Sequence, residues 1–152
     1  MEKADEDRIP KKVMRMFMCQ YLLSKTYKDM FDENKILSAY SDETERFEAH
    51  HIIPLGTVKK VGESTKKLRD DEKNICNSPL NFVYITKKAN KEISDESLKD
   101  YVQKINAEAK AKLHITAYTN SDIPQDQVKQ ILRERYDFLK GDIRERISTL
   151  LS

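Results

Sequence analysis

The chain has 152 residues, 38% of them hydrophobic and 36% charged, with only 3 glycines and 4 prolines. That length fits one domain with a real hydrophobic core, and the scarcity of Gly and Pro disfavours an all-β fold built on tight turns. The net charge is +2, so no general affinity for polyanions follows from composition, and any basic surface has to be local.

The cysteines, Cys19 and Cys76, lie far apart in the sequence. That spacing excludes a CxxC zinc knuckle and predicts two buried thiols in a reducing compartment. The charged residues 1–8 are not followed by the apolar region of a signal peptide. No apolar run approaches the ~18 residues that span a membrane. A soluble cytoplasmic protein with no membrane association is expected.

In chain order, residues 1–9 read as a frayed end and residues 10–152 as one domain. Pro10 suits the first turn of a helix. Val13, Phe17, Tyr21 and Met14, Met18, Leu22 recur at helical spacing, which predicts a helix from Lys11 to about Phe31 with the methionines in the core. Asp32-Glu33-Asn34 reads as a turn, and residues 35–40 as a short helix or extended piece. Residues 46–53 suit a short strand that Pro54 and Gly56 terminate. Residues 57–74 form a long charged connection with little periodicity, either a functional loop or a solvated insert. It is expected to stand apart from any chemistry and to govern access.

Asn81 to Ile85 is β-prone, and Thr86 can cap the helix that follows. Ser94 with Asp95 and Glu96 is a second helix start. Leu98, Tyr101, Val102, Ile105 and Ala109 continue at helical spacing. Ile115 to Tyr118 reads as a loop. Ser121 to Pro124 opens a last helix whose apolar stripe includes Val128, Ile131, Leu132, Tyr136, Leu139, Ile143, Ile147 and Leu150, with Gly141 as a point of bending.

The stretch from Phe47 to Asn90 carries the chemistry. Phosphodiester hydrolysis needs a base that deprotonates water near neutral pH, which suits histidine. It also needs a cation for the charge that develops on the phosphoryl and leaving oxygens. His50 and His51 stand side by side before Ile52-Ile53-Pro54. Neighbouring residues on a strand point to opposite faces, so the pair can serve one site only where the strand is ending, as Pro54 suggests. One histidine can then turn to a metal while the other addresses water. Asn90, in the first turn of the following helix, can face back across the strands, and Asn81 can brace the strand that bears the histidines.

This pattern resembles the HNH nucleases, whose site is a ββα-metal finger reading Asp/His-His-Ile-x-Pro, then Asn, then His or Asn. The interval between Asn81 and Asn90 is similar to that in the nicking domain of RNA-guided CRISPR nucleases, and the histidine pair is similar to that of colicin DNases. The resemblance implies His50 and Asn90 as metal ligands, His51 as general base, and Asn81 as the residue that orients the base and pins the strands. Asn77 is a rival for the middle position; Asn81 leads directly into the strand. An oxygen-rich shell implies Mg²⁺, with Mn²⁺, Ni²⁺ or Zn²⁺ admitted by His50. Lys87, Lys88, Lys91 and Arg69 are candidate phosphate contacts. His114 has no partner motif and reads as structural.

Residues 132–139 and the helix after Asn90 resemble the C-terminal nuclease region of GmrSD-type restriction proteins. The expectation is an α+β, mainly helical domain with a ββα core at about 46–93, flanked by further helices. It would act as a metal-dependent DNA endonuclease in restriction or anti-phage defence, with an N-terminal regulatory domain or other defence subunits as partners. The alternatives are an RNA-cleaving nuclease, a non-catalytic nucleic-acid-binding module that retains the finger, and a helical partner-binding domain.

Overall fold

A computed structural model describes residues 11–37, 46–58, 62–71, 73–93, 96–115 and 123–152. The expectations for residues 1–9, for 38–40, for the Ser94-Asp95 and Ser121-Asp122 starts and for 116–118 lie outside them. The fold is α+β and mainly helical, with one two-stranded antiparallel sheet. No helix among the described residues is long and apolar enough to cross a membrane.

Helix α1 (Lys11–Lys25) buries Met18, Tyr21 and Leu22 and leaves Val13 and Phe17 half-exposed. It stops six residues short of the expected end. The reason is Asp29, a buried carboxylate whose Oδ1 accepts from the amides of Phe31 (2.8 Å) and Asp32 (3.3 Å). That local bonding competes with helix, as Asp side chains do. Residues 28 and 36 then form an antiparallel bridge. Cys76 is buried, whereas Cys19 is only partly so.

Strand β1 (Phe47–His51) pairs with β2 (Phe82–Thr86), with His51 opposite Phe82, His50 opposite Val83 and Phe47 opposite Thr86. The connection between them is more ordered than its sequence suggests. It holds α2 (Leu55–Val58) and α3 (Thr65–Asp70), then two 3₁₀ turns at Ile75–Asn77 and Pro79–Asn81. Leu55, Leu68 and Cys76 anchor it in the core. Asn81 ends the second turn rather than starting the strand.

Helix α4 (Lys87–Ile93) follows β2 directly. Thr86 caps it as expected, its hydroxyl accepting from the amide of Ala89 at 3.2 Å. The carboxylate of Asp29 also accepts from the amide of Thr86 at 2.6 Å, which fixes the corner where strand becomes helix. Ile53, Val83, Ile85 and Tyr101 are fully buried beneath this unit, each aliphatic side chain contributing about 1.5–3 kcal/mol.

The single helix expected over 98–109 is broken. Helix α5 (Leu98–Tyr101) tightens into a 3₁₀ turn, and α6 (Ala107–Leu113) starts afresh. Asn106 makes the break: its side chain accepts from the amide of Ala109 at 2.7 Å, and its own amide donates to Met30 O at 3.0 Å. His114 ends α6 at φ 49° and stacks on Phe138 with ring centroids 4.5 Å apart.

Helix α7 (Gln125–Leu151) runs through Gly141 without interruption. A Cβ there would meet nothing within 4 Å, so the glycine is simply exposed. Towards the end of α7 the stripe leaves the core, with Ile147, Leu150 and Leu151 exposed. Arg135 of α7 is buried; its guanidinium donates to Leu113 O at 3.0 Å, to Phe82 O at 3.3 Å and to Leu80 O. It thereby holds both residues that flank Asn81.

Candidate active site

His50 and His51 share one cleft because β1 ends between them and Pro54. The amide of Ile52 donates to Asn81 O (2.8 Å), one register step beyond the last paired residues, His51 and Phe82. The side chain of Asn81 completes the bend: its Oδ1 accepts from Ile53 N (2.9 Å), and its Nδ2 donates to Cys76 O (2.8 Å) and Ile53 O (3.2 Å). Tyr101 donates its hydroxyl to Ile52 O. Asn81 is fully buried, and its four polar contacts lock the backbone just after the histidines.

The cleft has a volume of about 540 Å³ and is lined by Arg15, Ala49, His50, His51, Pro54, Leu55, Thr65, Arg69, Asn77, Phe82 and Asn90. No carboxylate is among these lining residues, and two arginines are.

His50 and Glu48 lie on one face of β1, two residues apart as strand alternation requires. Both meet Asn90 from the first turn of α4. Nδ2 of Asn90 donates to Glu48 Oε2 at 2.9 Å, and Oδ1 faces His50 Nδ1 at 2.9 Å. The carboxylate therefore sets which end of the amide meets the histidine. His50 is buried, packs edge-on against Tyr101 at 5.5 Å, and its Nε2 is buried without a partner among the described residues. Burial pushes its pKa down, and the bond to Asn90 opposes that.

His51 is half-buried against the Phe82 ring, centroids 4.4 Å apart. The side chain that reaches its ring is that of Asn77, with Oδ1 3.3 Å from Nε2; Asn81 acts on the backbone instead. Burial is the main reason its pKa falls to about 4, with the Asn77 bond opposing and His50, Arg69 and Arg15 adding to the fall. The imidazole is thus neutral near pH 7, as a proton acceptor must be.

Arg69 lines the cleft. Lys87, Lys88 and Lys91 do not line it. Lys88 and Lys91 are exposed, Lys88 facing Glu92 at 3.8 Å. Sequence reasoning missed Arg15, whose guanidinium lies over the Phe82 ring at 5.6 Å and donates to Asn77 O at 3.3 Å. Nothing in α1 marks Arg15 in advance. Glu48 was recoverable, since it stands two residues before His50 on a strand. Among the described residues, no group of three or more His, Cys, Asp or Glu is arranged to hold a metal. The donors present are one imidazole, one amide oxygen and the Glu48 carboxylate behind it. With the amide end fixed by Glu48, Asn90 Oδ1 accepts from His50 Nδ1–H at 2.9 Å, so the ring nitrogen left to hold a cation is Nε2, which has no hydrogen-bond partner among the described residues.

A strand-pair and helix that bring two histidines and an asparagine to a polar cleft, with no carboxylate among its described lining residues, form a site suited to phosphate chemistry. Comparison with protein families matches residues 2–140 to the GmrSD restriction endonucleases, C-terminal domain. The match spans most of the chain, and the chain belongs to that family, which places it among restriction-endonuclease-type nucleases. Neither curated proteins nor solved structures give a match.

Proposed function

We propose that the cleft is the centre of a metal-dependent HNH-type endonuclease that hydrolyses DNA phosphodiester bonds in restriction or anti-phage defence. The observation that carries this reading is the convergence of His50, His51 and Asn90 on one cleft. His50 and Asn90 would hold one divalent cation, Mg²⁺ by the hardness of its oxygen donors, with water and phosphate oxygens completing the shell. Such a cation supplies charge stabilisation to the phosphoryl and leaving oxygens.

His51, neutral in its pocket, takes the proton of the attacking water. Asn81 keeps the 51–53 backbone bent so that both histidines face the cleft. Arg69 and Arg15 offer guanidinium groups to the phosphates, which position the strand without reading its sequence. Lys88 and Lys91 extend that surface outside the cleft. A single histidine-bearing cleft among the described residues fits nicking of one strand at a time. A regulatory N-terminal half would act beside this domain.

Plasmid nicking with Mg²⁺ or Mn²⁺ tests the reading. Wild type should convert supercoiled plasmid to open circle, and His51→Ala should lower the rate by about 10²-fold or more. Supercoiled plasmid left intact by wild type in both metals, together with intact labelled RNA, would sink the enzyme reading. Cleavage of RNA alone would reassign the substrate.

A further inference from the structure

Asn77, the rival for the middle position of the site, lies in the 3₁₀ turn Ile75–Asn77 just past the charged stretch and is the residue whose side chain reaches the His51 ring. Asn77 is buried, at 4% exposure. Its Nδ2 donates to the carbonyls of Leu68 (2.7 Å), Asp71 (2.8 Å) and Arg69 (3.2 Å). These belong to the last turn and C-cap of α3, where the carbonyls of Leu68 and Asp71 also accept from the amides of Asp71 (3.3 Å) and Asn74 (3.0 Å). Three acceptors on one side settle which end of the amide is nitrogen, by the usual network argument. The oxygen must therefore face His51, whose Nε2 lies 3.3 Å away. A neutral imidazole meets an acceptor only with an N–H.

We infer that Asn77 is a positioning residue for His51: it holds the imidazole as the Nε2–H tautomer, leaves Nδ1 as the nitrogen that accepts a proton, and ties the ring to the end of α3. The functional half of the inference rests on the reading of His51 as the base; the tautomer does not. The Asn77 carbonyl also receives Arg15, so one residue sets both the ring and a neighbouring cation. The nearest parallel is the buried acceptor that orients a catalytic histidine in hydrolytic triads, where loss of the correct tautomer lowers turnover while the rest of the geometry survives.

The test is a long-range ¹H–¹⁵N correlation spectrum of histidine-labelled, full-length protein without metal at neutral pH, with His51 assigned by its loss in His51→Gln. The expected result is a protonated Nε2 and an unprotonated Nδ1. An Nδ1–H tautomer overturns the inference, whatever the nuclease assays show, and so does an equal mixture. The second measurement is Asn77→Ala, expected to lower the single-turnover cleavage rate at saturating DNA by about 10²-fold, with DNA affinity in the absence of metal changed less than threefold. An unchanged rate overturns the positioning role. If Asn77→Ala does not fold, the wild-type tautomer alone decides. Wild type that shows the Nε2–H tautomer but cleaves neither DNA nor RNA would sink the function and leave the tautomer standing, so the two failures are distinguishable.

Discussion

At the scale of single residues, the site is a set of orientations fixed by neighbours. Glu48 decides which end of Asn90 meets His50, and three α3 carbonyls decide which end of Asn77 meets His51. Burial then keeps both rings neutral, pushing His50 down from 6.5 and His51 to about 4. The sign of the linkage follows. Below the ordinary histidine range the unfolded chain takes up protons that the folded protein refuses, so stability rises with pH wherever the unfolded state binds more protons. In metal-free protein, urea midpoints should therefore fall from about pH 6.5 towards about pH 4. The double variant His50→Gln/His51→Gln should show a visibly flatter profile over that window. An identical slope would mean that the rings are not held neutral.

At the scale of elements, the hairpin and α4 can present Asn90 to His50 only if the corner at Thr86 is rigid. Asp29 supplies that rigidity from outside the unit, through its bond to the Thr86 amide. Asp29→Ala removes a buried acceptor of three backbone amides, those of Phe31, Asp32 and Thr86. The expected loss is about 2–4 kcal/mol in denaturant unfolding, because a buried donor left unpaired carries its full desolvation penalty. A change under about 0.5 kcal/mol, the level of an ordinary surface substitution, would show that the corner holds without it.

Over the whole molecule, the cleft is assembled from parts distant in sequence. Arg15 comes from α1, Arg69 and Asn77 from the connection between the strands, the histidines from β1 and Asn90 from α4. Arg135 of α7 braces the carbonyls on either side of Asn81. A ligand that binds only the folded protein raises its melting temperature by mass action. Mg²⁺ or Mn²⁺ at saturating concentration should therefore raise the Tm of wild type. His50→Ala and Asn90→Ala should each lose most of that rise, while Lys91→Ala should keep it. Equal shifts in all four proteins would place the ion elsewhere.

The elements nearest the chemistry were legible in the sequence because their signals are local. A β-prone run, a Thr cap and a proline after paired histidines each act within a few residues, and they located β1, β2 and α4 to within a residue or two. Composition favoured helices, and the two β-prone runs with the ββα resemblance made the expected class α+β. The expected helix to Phe31 and the continuous helix over 98–109 failed for one reason. Asp29 and Asn106 make side-chain bonds that break local helix, and their further bonds, to Thr86 and Met30, cross the fold. The cleft has the same origin. That Asn77 reaches the His51 ring, that Asn81 works through the backbone and that Arg15 joins them depends on which distant groups packing brings within 3 to 4 Å. No short-range pattern encodes those distances, and only the tertiary structure decided them.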